Sequence, residues 1–206
     1  MNDLSDVFQH SSYLCFADDV KIYSNIRTIH DSHNLQADLC RFYNWCVVNG
    51  LCLNVSKCAQ ITFCRKRSYE LYAYNINSIN LINVPHIKDL GVILSSNLSF
   101  TEHISFIYNK ALRMLGFLKR NCWEFSNPIC LKVLYCSLVR SIVEYGSIIW
   151  SPYQANLTNK LEKLLKRFLR MLVVKVGKYD INEVDLNVVA SNITSLSMRR
   201  KMFDVS

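Results

Sequence analysis

Glycine and proline are scarce in this chain, at 5 and 3 of 206 residues, which argues against a loop-rich all-β architecture. No run of 18 apolar residues occurs, so no segment has the length to cross a bilayer as a helix. Residues 1–12 carry Asp3 and Asp6 and no apolar core, so they do not read as a secretory signal. The chain has nine cysteines but no CxxC pair. Zinc sites want close pairs, and nine is odd for a fully paired disulfide framework. Cys40, Cys46, Cys52, Cys58 and Cys64 recur every six residues, yet the residues between them share no pattern. All nine are expected to be small buried hydrophobes in a reducing, intracellular compartment, nuclear or cytoplasmic.

What the chain does have is core-forming material and an uneven charge. Half its residues are hydrophobic and 19% are charged, the balance of a folded protein rather than a disordered tail. The formal net charge is +8. Residues 1–100 hold 8 basic and 8 acidic side chains, whereas residues 101–206 hold 16 and 8. A neutral half beside a basic half suggests chemistry in one place and polyanion binding in the other.

The chemistry is signalled by Phe16-Ala17-Asp18-Asp19. Tyr13–Phe16 is apolar and strand-prone, and Val20–Tyr23 alternates with the period of a half-buried strand. Asp tolerates turn backbone, so a tight hairpin with both acids at its tip is expected. Adjacent carboxylates repel unless a cation neutralises them. Two Mg²⁺ or Mn²⁺ ions about 4 Å apart, bridged by carboxylates and phosphates, do so. The competing explanation is a solvated Asp-Asp turn.

Downstream, Thr28–Asn49 reads as an amphipathic helix, with Thr28 as N-cap, Asp31 at the third helical position and Gly50 at the left-handed position after its end. Leu51–Asn54 and Ala59–Phe63 read as extended, with Lys57 between them. Arg65-Lys66-Arg67 reads as a basic loop, and short strands are expected at Leu71–Ile76 and Asn80–Val84. Past Pro85 and Leu90–Leu94 the pattern becomes helical. Thr101–Lys119 carries an apolar stripe from Ile104 to Leu118. A second helix starts at Asn127-Pro128, cap and first turn, and runs toward Trp150. A third covers Thr158 to about Val174, and residues 182–206 read as a weaker one. The expected division lies near residue 100, with an α+β part at 1–100 and a helical part at 101–206.

In this order the blocks resemble the C-terminal part of a reverse transcriptase of a non-LTR, jockey-like retrotransposon. The hairpin matches that family's (Tyr/Phe)-Ala-Asp-Asp. Trp45, Asn49-Gly50-Leu51, Leu53-Asn54 and Lys57 follow in the family's order. Lys88–Val92 is similar to its primer-gripping hairpin, and Glu144-Tyr145-Gly146 with Trp150-Ser151-Pro152 to the helical region beyond the palm. The implied fold is the end of a polymerase palm (catalytic hairpin, helix, short antiparallel strands) followed by a helical thumb and extension.

The resemblance implies RNA-directed DNA synthesis from dNTPs on an RNA template and a DNA primer. Asp18 and Asp19 become ligands of two Mg²⁺ or Mn²⁺ ions, and Lys57 a general acid toward pyrophosphate. Leu90-Gly91 would approach the primer. Lys160, Lys163, Arg167 and Arg170, spaced by three or four, form a stripe facing either phosphate or water, with Lys166, Lys175 and Lys178 nearby. Trp45 and Trp150 lie beside apolar stripes and read as core rather than stacking platforms. The family's further catalytic carboxylate is expected on an upstream strand outside these residues, with the fingers also upstream, so the chain alone is expected to be inactive. Three alternatives remain. One is a non-catalytic nucleic-acid-binding module. Another is a small metal-dependent phosphotransferase drawing a third acid from Asp38 or Asp89, neither expected at a strand end. The last is an inert relic.

Overall fold

The computed structural model describes residues 3–64, 72–122, 124–125, 127–176 and 195–203. The chain forms two compact units, up to Ile87 and from Lys88 onward. The division precedes the one expected near residue 100, because the hairpin ending at Ser95 is packed on the helix that follows it.

In the first unit, β1 (Ser12–Phe16) and β2 (Asp19–Tyr23) form an antiparallel hairpin. Helix α1 (Ile29–Val48) starts with a complete capping box. The Thr28 side chain accepts from the Asp31 amide, and the Asp31 carboxylate accepts from the Thr28 amide. Gly50, at φ +68°, supplies the left-handed residue after the helix. The helix buries Leu39, Phe42 and Cys46. Phe42 and Cys46 pack with Leu4, Tyr13, Val20 and Ile22, so the helix backs the hairpin.

The rest of this unit is less regular than expected. No strand forms at 51–54; Leu53 packs against the apolar clusters but its backbone finds no ladder. Of Ala59–Phe63 only β3 (Ala59–Gln60) is a strand, and β4 (Asn75–Ile76), β5 (Ile79–Asn80) and β6 (Ile82–Asn83) are equally short. Contrary to the expected all-antiparallel set, β3 pairs with β6 in parallel, while β4 and β5 form an antiparallel pair. The basic loop at 65–67 lies outside the described residues.

The second unit begins with the hairpin of β7 (His86–Asp89), whose first residues precede the division, and β8 (Val92–Ser95). Helices α2 (Thr101–Asn121) and α6 (Ala155–Val176) supply much of the core. Between them the expected second helix is interrupted. Asn127 caps it as expected, accepting from the Ile129 and Cys130 amides. After α3 (Pro128–Leu134) comes a π-helical stretch, Tyr135–Arg140, then α4 (Ser141–Glu144) and α5 (Ser147–Trp150). Gly146, at φ +61°, separates α4 from α5.

The core comprises Ile104, Ala111, Leu115, Tyr135, Val139, Trp150, Leu161, Leu164 and Phe168 among others. Tyr135 stacks on Phe168 at 4.1 Å and 12°. Trp150 is fully buried, and its indole donates to the Tyr145 carbonyl at 2.8 Å. A short α7 (Leu196–Phe203) stands where the weaker C-terminal helix was expected; residues 182–194 of that expectation lie outside the described residues. Glu144 receives both Nε and Nη2 of Arg199, at 2.5 and 3.2 Å, and Glu162 accepts from the Ser197 amide. None of the described helices is long and apolar enough to cross a membrane.

Of the nine cysteines only Cys46 and Cys122 are buried; Cys15, Cys40 and Cys52 are exposed. A six-residue step leaves Cys40 and Cys46 about 120° apart around α1, so Cys40 can face water while Cys46 faces the core. The expectation of nine buried thiols thus fails at Cys40, and it fails as well at Cys15 and Cys52.

Candidate functional site

The hairpin ladder runs from Ser12↔Tyr23 to Phe16↔Asp19, leaving Ala17-Asp18 as a two-residue loop. Asp19 therefore begins β2 rather than standing in the loop. Both carboxylates are exposed. Ala17 is held at φ +54°, a left-handed conformation that costs a non-glycine residue about 1–2 kcal/mol. Strain of this kind concentrates at sites whose geometry serves something other than stability.

Carboxylate oxygens are the donors that a hard divalent cation takes. They are also few: among the described residues no group of three His, Cys, Asp or Glu could hold a metal ion. The two acids therefore fit part of a cation's coordination shell. Lys57 is exposed at the end of the 3₁₀ turn Val55–Lys57.

A residue that sequence reasoning assigned differently proves central to the hairpin's support. Asp38, considered above as a third metal ligand, is fully buried in α1. Its oxygens accept from the amides of Gln9, His10 and Ser11 at 3.0, 2.9 and 2.7 Å and from the Ser11 hydroxyl at 2.6 Å. Arg41 Nη2 also donates to it, and Arg41 Nε donates to the Val7 carbonyl. Burial pushes the Asp38 carboxyl up. The donors of Ser11, Gln9, His10 and Arg41 outweigh that and hold it well below the usual carboxylate range. With its acceptor sites filled by the segment leading into β1, Asp38 is a brace and not a metal ligand. Its signal was legible: an acid on the same helical face as Leu35, Leu39 and Phe42. The other candidate, Asp89, does end a strand, β7, contrary to expectation.

In the second unit, Leu90 and Gly91 form the β7–β8 turn with φ +43° and +88°. Gly91 is needed for that turn. A Cβ there would also stand 3.0 Å from Tyr145 Cε1, so the group approaching it is a ring of this chain. The Tyr145 hydroxyl donates to the Leu90 carbonyl at 2.9 Å. Two blocks read separately in the sequence, Lys88–Val92 and Glu144–Gly146, thus meet in space.

The expected basic stripe divides. Lys163, Lys166, Arg167 and Arg170 are exposed. Lys160 is half-buried, with Nζ 2.9 Å from Ser105 Oγ and 5.4 Å from the Tyr108 ring centroid. Lys175 is buried and donates to the Cys122 carbonyl. Lys178 lies outside the described residues.

Comparison with known proteins gives two relatives. An uncharacterised protein of Caenorhabditis elegans is 30% identical over 114 residues, 55% of this chain and 57% of that protein. The RNA-directed DNA polymerase from mobile element jockey of Drosophila funebris is 25% identical over 163 residues, 76% of this chain. The chain spans only 17% of that polymerase. No family model and no solved structure matches. The chain thus has a distant similarity to a region of a mobile-element RNA-directed DNA polymerase.

Proposed function

We propose that this chain is the catalytic-hairpin and thumb region of a reverse transcriptase, an RNA-directed DNA polymerase of mobile-element origin. The observation that carries the reading is the pair of exposed, adjacent carboxylates, Asp18 in a strained two-residue hairpin loop and Asp19 beginning β2, in a chain distantly similar to the jockey polymerase. Asp18 and Asp19 are its metal ligands, and α1, through Asp38, holds the hairpin's approach. Asp18 and Asp19 would hold a divalent cation, which would lower the pKa of a primer hydroxyl and neutralise charge on the transferring phosphoryl group. Lys57 donates a proton toward the leaving group. The exposed cations of α6 hold phosphates, positioning nucleic acid without reading its sequence.

Two carboxylates make an incomplete two-metal site, so these residues alone bind nucleic acid without polymerising. The test is primed-template extension by this chain with dNTPs and Mg²⁺ or Mn²⁺. The expected result is no template-dependent incorporation. Incorporation that disappears in Asp18→Asn would overturn the incompleteness of the site.

A further inference from the structure

Between α2 and α6 runs an open groove of about 400 Å³. Its apolar floor is formed by Leu112, Leu115, Met171 and Val174, and Lys119, Arg167 and Arg170 rim it. Among the described residues, none that lines it is acidic. Gly116 keeps it open: a Cβ there meets only the end of the Arg120 side chain, at 3.5 Å. Val174, at 63% exposed, leaves apolar surface to water at one end.

Floor and rim make different demands. Phosphates satisfy the rim but leave the floor wet. Among the described residues the lining contains no aromatic ring on which a single strand's bases could stack. An amphipathic helix satisfies both demands, because its apolar stripe fills the floor while flanking carboxylates meet the rim cations. Met171 suits such a contact, being unbranched and adaptable. We infer that the α2–α6 groove is a docking site for an acidic amphipathic helix of a partner protein. Because Arg167 and Arg170 also belong to the proposed phosphate-binding face, the docked helix competes with nucleic acid. Only this competition rests on the polymerase reading; the docking itself does not.

The test uses the full chain and a labelled synthetic peptide of about 16 residues, long enough to form a helix, with Leu on one face and Glu on the other. Its control is a scrambled peptide of the same composition. The variant is Gly116→Leu, which fills the groove without changing charge and replaces a helix-weakening residue, so loss of binding does not stem from loss of fold. The expected result is that the ordered peptide binds at least about tenfold tighter than the scrambled one, and that Gly116→Leu removes this preference. In the same titrations Gly116→Leu leaves oligonucleotide affinity unchanged, and the ordered peptide displaces oligonucleotide from the unmodified chain. Equal binding of both peptides, or full affinity in Gly116→Leu, would show attraction by charge alone and overturn the site. An oligonucleotide that fails to bind would count against the phosphate face and leave the peptide result standing.

Discussion

Replacing Lys163, Lys166, Arg167 and Arg170 together with Gln should abolish most of the salt dependence of nucleic-acid binding. These four side chains are exposed on α6, whereas Lys160 is committed to Ser105 and Lys175 to Cys122. Four phosphate contacts to a duplex give a slope of log affinity against log salt of about −3.6, and to a single strand about −2.8. Between about 50 and 200 mM salt the duplex slope corresponds to a loss of affinity of roughly 100-fold. The quadruple variant should approach zero slope, and Lys160→Gln should change it by much less than one contact. The fold should survive, because Leu161, Leu164, Leu165, Phe168 and Leu172 remain buried on the opposite side. Fluorescence anisotropy across a salt series, paired with thermal melts, reads both quantities. A quadruple variant that keeps its slope would refute the phosphate face and leave α6 with a solvated surface.

Three further outcomes follow from the packing. Asp38→Ala strands three backbone amides and the Ser11 hydroxyl, and should cost about 3 kcal/mol or more in chemical denaturation. Because its folded pKa is depressed, the Asp38 contribution is complete above the ordinary carboxylate pKa near 4 and is lost as pH falls below it. His103 is buried, with Nδ1 accepting from the Ile93 amide, and burial lowers its pKa. Its contribution is therefore present above the ordinary histidine pKa near 6.5 and declines below it by at most about 1.4 kcal/mol per pH unit. Thermal melts across that range should show the decline in the native chain and a smaller one in His103→Gln. Ala17→Gly should stabilise the hairpin by about 1 kcal/mol, since glycine adopts the left-handed region without a Cβ penalty.

Local signals carried much of this fold in advance. The Thr28–Asp31 capping box, Gly50, the Asn127-Pro128 start and the stripe from Ile104 to Leu118 each act within a few residues, so the sequence exposes them directly. What it hid depends on partners distant in the chain. Leu51–Asn54 has the pattern of a strand but, among the described residues, no strand neighbour to pair with. The Tyr135–Arg140 π-turn leaves the helical periodicity nearly intact, and the break at Gly146 falls inside a segment expected to run unbroken toward Trp150. At the candidate site, Asp18 and Asp19 were legible from residue type and flanking alternation. The brace at Asp38 depends on a segment 27 to 29 positions earlier, and the cover of Gly91 on a tyrosine 55 positions past Leu90. Lys160 and Lys175 share the spacing of their exposed neighbours, and only packing separates them.

The most direct test of the central claim is Mn²⁺ titration of the isotopically labelled chain, read as paramagnetic broadening of backbone amides. Two carboxylates leave most of the coordination shell to water, so binding should be weak, at about millimolar Mn²⁺. The account predicts broadening centred on Phe16–Val20 that disappears when Asp18 and Asp19 are both replaced by Asn. Broadening centred elsewhere, or none at that concentration, would contradict it.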